Sequence, residues 1–226
     1  MTRFDREPVV TIDGPAGAGK GTAARMLAER LGYQLLDTGA MYRAVALSLT
    51  RAGIAHDDAA LRRHLAQVDV TLADGRVYLD GEDVTGAIRS QEIGQVTSAV
   101  SALAPVREKL TPLQRKAAGA GGVVLEGRDT GTVVCPDAEV KFYLTASLDE
   151  RVRRRHAELV ARGLPASIET VRAEISARDA QDQTRALAPL RKPDGAVEID
   201  STGLTQAEVV DRMSTAVERR RCCTRS

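Results

Sequence analysis

The sequence predicts an α/β fold with a five-stranded parallel sheet flanked by helices. Short apolar runs alternate with longer stretches whose apolar residues recur at helical spacing, a pattern typical of βαβ units. Several runs end in polar or glycine residues, and parallel sheets bind ligands beyond the carboxyl ends of their strands. We therefore expect a binding site along that edge. The predicted strands are Val9–Ile12, Gln34–Leu36, Val123–Leu125, Val140–Leu144 and Ala196–Ile199.

A glycine-rich loop joins the first predicted strand to the first predicted helix. Its glycines let backbone N–H groups converge on a phosphate without Cβ clashes, and the helix N-terminus adds a favourable dipole. Lys20 can then reach the β- and γ-phosphate oxygens, as in a P-loop NTPase fold. Gly21 replaces the usual Ser or Thr after the lysine, a form typical of nucleoside monophosphate kinases. The loop consists of Gly14, Pro15, Ala16, Gly17, Ala18, Gly19, Lys20, Gly21 and Thr22.

Capping signals mark the ends of the predicted helices. The first helix carries an apolar face and stops at Gly32, because glycine readily adopts the left-handed conformation that ends helices. Ser147 with Glu150, and Thr205 with Glu208, fit the capping-box pattern at two later helix starts. We expect helices to begin directly after Ser147 and Thr205.

One segment departs from the alternation of strands and helices. From Val68 to Thr85, apolar and polar residues alternate with a period of two around Asp74-Gly75 and Asp80-Gly81. Asp-Gly pairs favour the tight turns of β-hairpins. This segment is therefore predicted to form a small antiparallel insert outside the parallel sheet.

Composition excludes several classes of protein. Apolar residues make up 43% of the chain, enough for a core, and the formal net charge is only +1. A general nucleic-acid-binding protein would show a strong basic excess, so we expect no nucleic-acid partner. No apolar run reaches the ~18 residues of a membrane span, and the charged N-terminus lacks the apolar segment of a signal peptide. Three cysteines without disulfide or zinc spacing fit a reducing compartment, and the expected location is cytoplasmic.

Arginines follow two of the predicted strands, where an anionic acceptor would bind. Arg43 lies one turn into the helix after the second strand, beside Tyr42; a surface arginine next to a half-buried tyrosine is an equal alternative. Arg128 and Asp129 follow the third strand at the ligand edge, where a simple turn cap is the alternative. Glu126, just before them, can help to hold Mg²⁺ through water.

A third cluster lies on the helix predicted to start at Ile168. Arg178 and Arg185 are seven residues apart, so on a continued helix they are expected to share a face, with Asp182 beside them. Arginines on a mobile lid can stabilise the charge that builds up on a transferring phosphoryl group, whereas an exposed Arg178–Asp182 ion pair is the simpler alternative. Some of the arginines at 151, 153, 154 and 155 are expected to line the nucleotide site, but most of them are predicted to form a solvated helix face.

Five separated motifs are found along the chain. They are GPAGAGKGT at 14–22, LLDTGAMYR at 35–43, DGEDVTGAIRSQEI at 80–93, EGRDTGTVVCPDAEVKFYL at 126–144 and RALAPL at 185–190. Together, over about Val9 to Met213, they resemble the bacterial cytidylate kinases of the (d)CMP kinase family. The resemblance implies that ATP, with Mg²⁺, donates its γ-phosphoryl group to CMP or dCMP in pyrimidine nucleotide metabolism. It also implies a monomer.

The resemblance assigns roles to individual residues. Lys20 and Arg178 are the expected catalytic residues, Gly14 to Thr22 bind the ATP phosphates, and Thr22 is the expected Mg²⁺ contact. Arg43, Arg128 and Arg185 grip the acceptor phosphate, and Asp182 holds the ribose. Ser98, Arg107 and Asp129 read the cytosine edge, while Thr38 and Tyr42 line the same pocket.

The expected organisation is a single kinase domain over residues 1–226. Its core comprises 8–58, 102–160 and 186–220, and its acceptor-binding insert lies at about 59–101. A helical lid is expected at about 161–184, with Gly163 and Pro165 at one hinge. Closure of such a lid keeps water away from the phosphoryl group.

Two other functions fit parts of the sequence. A UMP-preferring or shikimate-type kinase shares the P-loop, but the hairpin insert argues against it. A regulatory switch that hydrolyses ATP slowly is the alternative outside this enzyme class. Such a switch needs an effector module, and the sequence contains no separate one.

Overall fold

The computed structural model describes residues 6–54, 58–73, 75–164 and 166–224, with side chains described up to residue 221. Backbone contacts divide the chain into two compact units, Met1–Leu35 with Ala120–Ser226, and Leu36–Gly119. The strands are β1 Val9–Asp13, β2 Gln34–Asp37, β3 Val70–Ala73, β4 Arg76–Leu79, β5 Glu82–Asp83, β6 Val123–Gly127, β7 Val140–Thr145 and β8 Val197–Asp200.

The described residues also form eight α-helices, a short 3-10 helix at Ala87–Arg89 and a π-helical turn at Thr130–Val134. None of the helices in this part of the chain combines the length and apolar character needed to cross a bilayer. The α-helices are α1 Lys20–Leu31, α2 Thr38–Ala52, α3 Asp58–Gln67, α4 Gln91–Ala102, α5 Ala104–Ala118, α6 Leu148–Ala161, α7 Ile168–Thr184 and α8 Gln206–Thr224.

The large sheet has five strands in the order β2-β6-β1-β7-β8. β1 is central: Val10 pairs in parallel with Val124 of β6 on one side and with Val140 of β7 on the other. β7 continues the parallel pairing to β8. The predicted five-stranded parallel sheet is confirmed, and the loop after β1 therefore starts at the middle of its carboxyl edge.

The core of the first unit is aliphatic and surrounds one aromatic ring. Ile12 of β1, Leu27 of α1, Phe142 of β7 and Met213 of α8 are fully buried in one continuous cluster. Complete burial of one such side chain contributes roughly 1.5–3 kcal/mol. This cluster fixes α1 against the sheet and thereby positions the loop that precedes the helix.

The second unit contains the predicted insert. β3, β4 and β5 form an antiparallel sheet in that order, with Val70 of β3 opposite Leu79 of β4. Gly75 and Gly81 adopt positive φ angles of 72° and 84° at the two turns. Asp74, of the first predicted turn, lies outside the described residues. The prediction of a small antiparallel insert is confirmed.

The two capping predictions have different outcomes. Thr205 and Glu208 form the full box: the N–H of Thr205 donates to Glu208 Oε2 at 2.8 Å, and the N–H of Glu208 donates to Thr205 Oγ at 3.3 Å. The hydroxyl of Ser147 accepts from the N–H of Glu150 at 3.2 Å. The Glu150 carboxylate instead accepts from Arg154, one turn later. In the box predicted at Ser147, the hydrogen bond expected from the Glu150 side chain is therefore replaced by an ion pair within α6.

The segment expected to form the lid contains the end of α6 and all of α7. Gly163, the first expected hinge residue, follows α6 and has a positive φ of 69°, a conformation that glycine adopts readily. Pro165, the second expected hinge residue, lies outside the described residues. The boundaries of the lid and of the insert stay predictions.

Candidate active site

Two glycines of the P-loop lie where a larger residue does not fit. Gly14 has a φ of 151°, and a Cβ there would lie 2.0 Å from the carbonyl oxygen of Leu144. Gly17 has a φ of 78°, and its Cβ would lie 3.0 Å from the Cβ of Arg151. The loop thus passes in direct contact with β7 and α6. Both glycines are needed for this path, because L-residues with a side chain rarely adopt positive φ.

Lys20 is the buried cation at the end of the loop. It is 5% exposed, and its Nζ donates to the carbonyl of Pro15 at 2.8 Å. Burial lowers the pKa of Lys20 to about 7, and the guanidinium groups of Arg128 and Arg178 lower it as well, while Glu126 and Asp13 oppose the shift. A buried lysine among arginines favours an anion, because a phosphate would compensate all three positive charges.

The expected metal contacts lie beside this lysine. Thr22 is exposed in the first turn of α1, and Glu126 is near enough to affect the pKa of Lys20. Within the described ranges, no three His, Cys, Asp or Glu side chains are grouped to hold a metal ion. One hydroxyl and one carboxylate suit Mg²⁺, which takes most of its ligands from substrate phosphates and water.

Four of the predicted acceptor residues form an ion-pair network at the end of β6, all within the first unit. Arg128 Nε donates to Asp182 Oδ2 at 2.9 Å, and Arg185 Nη2 donates to Asp129 Oδ1 at 3.2 Å. Arg185 also approaches Asp182 at 4.0 Å. The side chains of Asp182 and Arg185 are each only 4% exposed. The structure therefore brings together two guanidinium groups and two carboxylates that the sequence placed 57 residues apart (from 128 to 185).

Arg178 lies half-buried on α7, four residues before Asp182. Its charge acts on the pKa of Lys20, so the two predicted catalytic residues are within electrostatic reach of each other. Lys20 belongs to the P-loop and Arg178 to α7 of the expected lid. Two cations placed in this way suit the role predicted for them, the stabilisation of a transferring phosphoryl group.

The other predicted acceptor residues lie in the second unit, on α2, α4 and α5. The guanidinium of Arg107 lies 5.6 Å from the centre of the Tyr42 ring and donates to the carbonyl of Ser101 at 3.1 Å. Ser101 in turn donates to the carbonyl of Ser98 at 2.8 Å. Tyr42, Ser98 and Arg107 are all at least nine-tenths buried. The three residues thus belong to one connected polar cluster, consistent with a shared ligand.

Arg43 and Thr38 occupy α2 in the same unit. Arg43 Nη1 donates to the carbonyl of Ile88 at 3.4 Å and lies 3.4 Å from the position that a Cβ on Gly94 would take. Thr38 is buried at the helix start, where Asp37 accepts from the N–H of Ala40 at 2.8 Å. Arg43 therefore lies one turn into this helix, as predicted, and it is half-buried against a neighbouring carbonyl rather than on an open surface.

The arginines at the start of α6 differ from the prediction of a mostly solvated face. Arg153 is exposed, but Arg151 is buried and donates to the carbonyl of Ala16 at 3.0 Å. Arg154 donates to the carbonyl of Ala18 at 3.3 Å and to Ser201 Oγ at 3.0 Å. Two of these arginines thus hold the P-loop backbone. The sequence signal for such a role is the number of arginines close to the start of the helix, where the dipole disfavours cations.

Asp13 is a further residue of the site that sequence reasoning missed. Its carboxylate accepts from the N–H and the hydroxyl of Thr130 at 2.8 Å and from the N–H of Gly131 at 2.7 Å. Burial raises the pKa of Asp13 above its ordinary value, and these hydrogen bonds oppose the rise. Asp13 thereby fixes the turn that follows Asp129. The sequence signal for this role is an ionisable residue at the end of a mostly apolar strand.

Known proteins match this chain over nearly its full length. A family model described as cytidylate kinase matches residues 10–219. A cytidylate kinase of Geobacter sp. (strain M21) is 55% identical, covering 94% of this chain and 93% of the relative. The cytidylate kinase of Pseudothermotoga lettingae is 44% identical, covering 99% of this chain and all of the relative.

A solved structure supports the fold. An uncharacterized protein from Eubacterium ventriosum superposes with a TM-score of 0.54, covering 95% of this chain and 99% of its own, at 11% identity. At that identity the likeness concerns the fold alone. The sequence matches are much closer and span the P-loop, the network at the end of β6 and the insert. By these matches, the chain belongs to the cytidylate kinase family.

Proposed function

We propose that this protein transfers the γ-phosphoryl group of ATP directly to CMP and dCMP, with Mg²⁺ and without a covalent intermediate. The observation that carries the proposal is the buried Lys20 of the P-loop with Arg128 and Arg178 acting on it. Membership of the cytidylate kinase family supports the choice of acceptor. The cytoplasmic location, expected from the cysteine usage, and the monomeric state, implied by the family resemblance, are part of the same proposal.

On the donor side, residues 14–22 hold the ATP phosphates through their backbone N–H groups. Lys20 contacts the transferring group as a point charge, and Arg178 adds a second cation from α7. The transition state spreads negative charge over the equatorial oxygens, so fixed cations stabilise it more than the ground state. Thr22, with Glu126 acting through water, would hold Mg²⁺, which supplies charge compensation to the phosphates when it is bound.

On the acceptor side, Arg43, Arg128 and Arg185 bind the phosphate of CMP. Asp182 accepts from the ribose, and Thr38 and Tyr42 line the pocket. Asp129 accepts from the exocyclic amine of cytosine, whereas Ser98 and Arg107 donate to its ring acceptors. Uracil places a carbonyl where cytosine has the amine. The resulting contact between two acceptors leaves Asp129 mismatched, which disfavours UMP.

A coupled assay of ADP release tests the proposal. Purified protein receives ATP, Mg²⁺ and, in turn, CMP, dCMP, UMP, AMP and GMP. We expect CMP and dCMP to be the best acceptors and Lys20→Ala to lose nearly all turnover. Lys192→Ala is the matched control, because Lys192 is an exposed lysine paired with Glu198 at 3.0 Å; its activity should equal wild type.

Two results contradict the proposal. Strong turnover of AMP or UMP with none of CMP refutes the assigned acceptor. ATP hydrolysis without an acceptor that equals transfer to CMP favours the regulatory switch instead. The same assay therefore separates the proposed kinase from a UMP-preferring kinase and from a regulatory switch.

A further inference from the structure

Ala16 of the P-loop is held at both of its backbone polar atoms by one ion pair. Its N–H donates to Asp179 Oδ1 at 3.0 Å, and its carbonyl accepts from Arg151 Nη1 at 3.0 Å. The same Nη1 also donates to Asp179 Oδ2. We name these three residues the Ala16 clamp. Arg151 lies 135 residues after Ala16 in the chain, and Asp179 lies 28 residues after Arg151.

The clamp is buried and rests on two packed helices. The side chains of Arg151, on α6, and Asp179, on α7, are 10% and 12% exposed. Buried Val152 and Ile175 belong to the small core that joins α6 to α7. The Nε of Arg151 also donates to the carbonyl of Ala146 at 3.1 Å. Both charges are therefore paired and hydrogen-bonded, as a buried ion pair requires.

The clamp orients a phosphate-binding peptide. The carbonyl of Ala16 and the N–H of Gly17 belong to the same planar peptide and point in opposite directions. When Arg151 holds the carbonyl, the N–H of Gly17 points away from α6. Arg154 holds the carbonyl of Ala18 in the same manner and so directs the N–H of Gly19. These fixed orientations produce a preorganised nest for an anion.

The clamp also connects the P-loop to a predicted catalytic residue. Asp179 directly follows Arg178 on α7. Because Asp179 is bonded to Ala16, the helical turn that carries Arg178 is fixed relative to the loop that ends at Lys20. A displacement of about 1 Å in such a group can cost 10²-fold in rate.

We propose that Asp179 is a positioning residue of the phosphoryl-transfer site: with Arg151 it orients the Ala16–Gly17 peptide toward the donor phosphates and fixes the turn of α7 that carries Arg178. The proposal rests on the function proposed above and adds a residue that contacts neither nucleotide. On this proposal, Asp179 affects the binding of ATP and ADP rather than the binding of CMP. The predicted acceptor contacts at the end of α7, Asp182 and the following Arg185, are held by their own bonds to Arg128 and Asp129.

Three variants test the role of Asp179. Asp179→Ala should weaken ADP binding about tenfold and lower kcat about 30-fold, with KM for CMP within about threefold of wild type. Asp179→Asn keeps an oxygen acceptor for the Ala16 N–H and should recover ADP affinity, while its midpoint of thermal unfolding falls because Arg151 loses its partner charge. Asp149→Ala is the matched control: this exposed carboxylate joins the same two helices through Arg172 at 2.6 Å. It should match wild type throughout.

The measurements are calorimetric titration with ADP alone and with CMP alone, steady-state kinetics, and thermal unfolding. An Asp179→Ala variant with a lower unfolding midpoint but wild-type kcat and ADP affinity overturns the proposal, since the residue is then merely structural. Equal losses of ADP and CMP affinity overturn it too.

Arg151→Lys keeps the test decisive if Asp179→Ala does not fold. A lysine retains the charge but cannot donate to Ala16, Ala146 and Asp179 in the fork geometry of arginine. We expect about tenfold weaker ADP binding in this variant, and wild-type affinity refutes the clamp. A wild-type protein that binds ADP yet fails to phosphorylate CMP refutes the proposed function alone, because the ADP titration still tests the clamp.

Discussion

Arg185 donates to Asp129 across 3.2 Å, and the two side chains are only 4% and 8% exposed. The family resemblance assigns the arginine to the acceptor phosphate and the carboxylate to the acceptor base. The structure thus joins the predicted phosphate contact and the predicted base contact in one buried ion pair. A substitution at either residue should therefore change both the recognition of the base and the position of the phosphate contact.

Replacement of Asp129 by alanine should weaken the preference for CMP over UMP by about tenfold or more, because the site then loses the acceptor for the cytosine amine. The measurement is the ratio of kcat/KM for the two acceptors. Asp137→Ala, at an exposed carboxylate of the same segment, is the control and should leave the ratio unchanged. An unaltered ratio in Asp129→Ala would show that this carboxylate does not read the base.

Replacement of Asp182 by alanine should destabilise the protein. The substitution removes a carboxylate that is only 4% exposed and that faces both Arg128 and Arg185. Loss of one partner of a buried ion pair costs about 3 kcal/mol in the free energy of unfolding. Urea denaturation measures this cost, with Asp149→Ala as the exposed control, expected within ~0.5 kcal/mol of wild type. Equal unfolding midpoints for wild type and Asp182→Ala would contradict a buried network.

Binding of ADP should be accompanied by proton uptake near pH 8. The pKa of Lys20 is lowered to about 7, chiefly by burial, so this amine is largely neutral at pH 8 in the free protein. A bound phosphate raises the pKa and recharges the amine. Calorimetry in two buffers of different ionisation enthalpy measures the uptake, and Lys20→Met should abolish it. Identical heats in both buffers for the wild type would count against this prediction.

The same pKa shift makes stability depend on pH. The unfolded chain binds the Lys20 proton up to its ordinary pKa of 10.5, whereas the folded chain releases it near 7. Between these values the unfolded state binds more protons, so the free energy of unfolding from this group rises with pH. Its unfavourable contribution is fully present below pH 7. Lys20→Met should therefore unfold at a higher temperature than nucleotide-free wild type at pH 6, and a lower midpoint would refute this.

Glycine at position 14 should be essential to the fold of the loop. An alanine there would place its Cβ 2.0 Å from the carbonyl oxygen of Leu144. We expect Gly14→Ala to lose ADP binding and to unfold at a lower temperature. Gly86→Ala is the matched control, because Gly86 has a negative φ of −75° and open space around it. ADP binding by Gly14→Ala with wild-type affinity would contradict the close passage of the loop along β7.

Much of the fold was predictable because its signals are local. The apolar run at Val9–Ile12 and the glycines that follow it define β1 and the P-loop within 14 consecutive residues (9 to 22). Gly75 and Gly81 mark turns that need positive φ, and these turns set the antiparallel insert. β1 extends one residue beyond its predicted end, to Asp13, and β6 extends two residues beyond its predicted end, to Gly127.

The residues that hold the site in place were not predictable, because their hydrogen bonds join residues that are far apart in the chain. The bond from Ala16 to Asp179 spans 163 residues, and that from Asp13 to Thr130 spans 117. Helical spacing indicates which residues share a face, but it does not identify what that face contacts. Arg151 and Arg153 therefore look alike in the sequence. Of these two residues, Arg151 lies against the P-loop and Arg153 is exposed.

The most direct test of the central claim is a single turnover with ATP labelled in its γ-phosphate, Mg²⁺ and CMP, stopped by rapid quenching. The account predicts that the label passes to CDP as fast as ATP is consumed, with little appearing as inorganic phosphate. Lys20→Ala should transfer almost none, and Lys192→Ala should transfer as wild type does. Label that accumulates in inorganic phosphate, or in UDP but not CDP when both acceptors are supplied, would contradict the assignment.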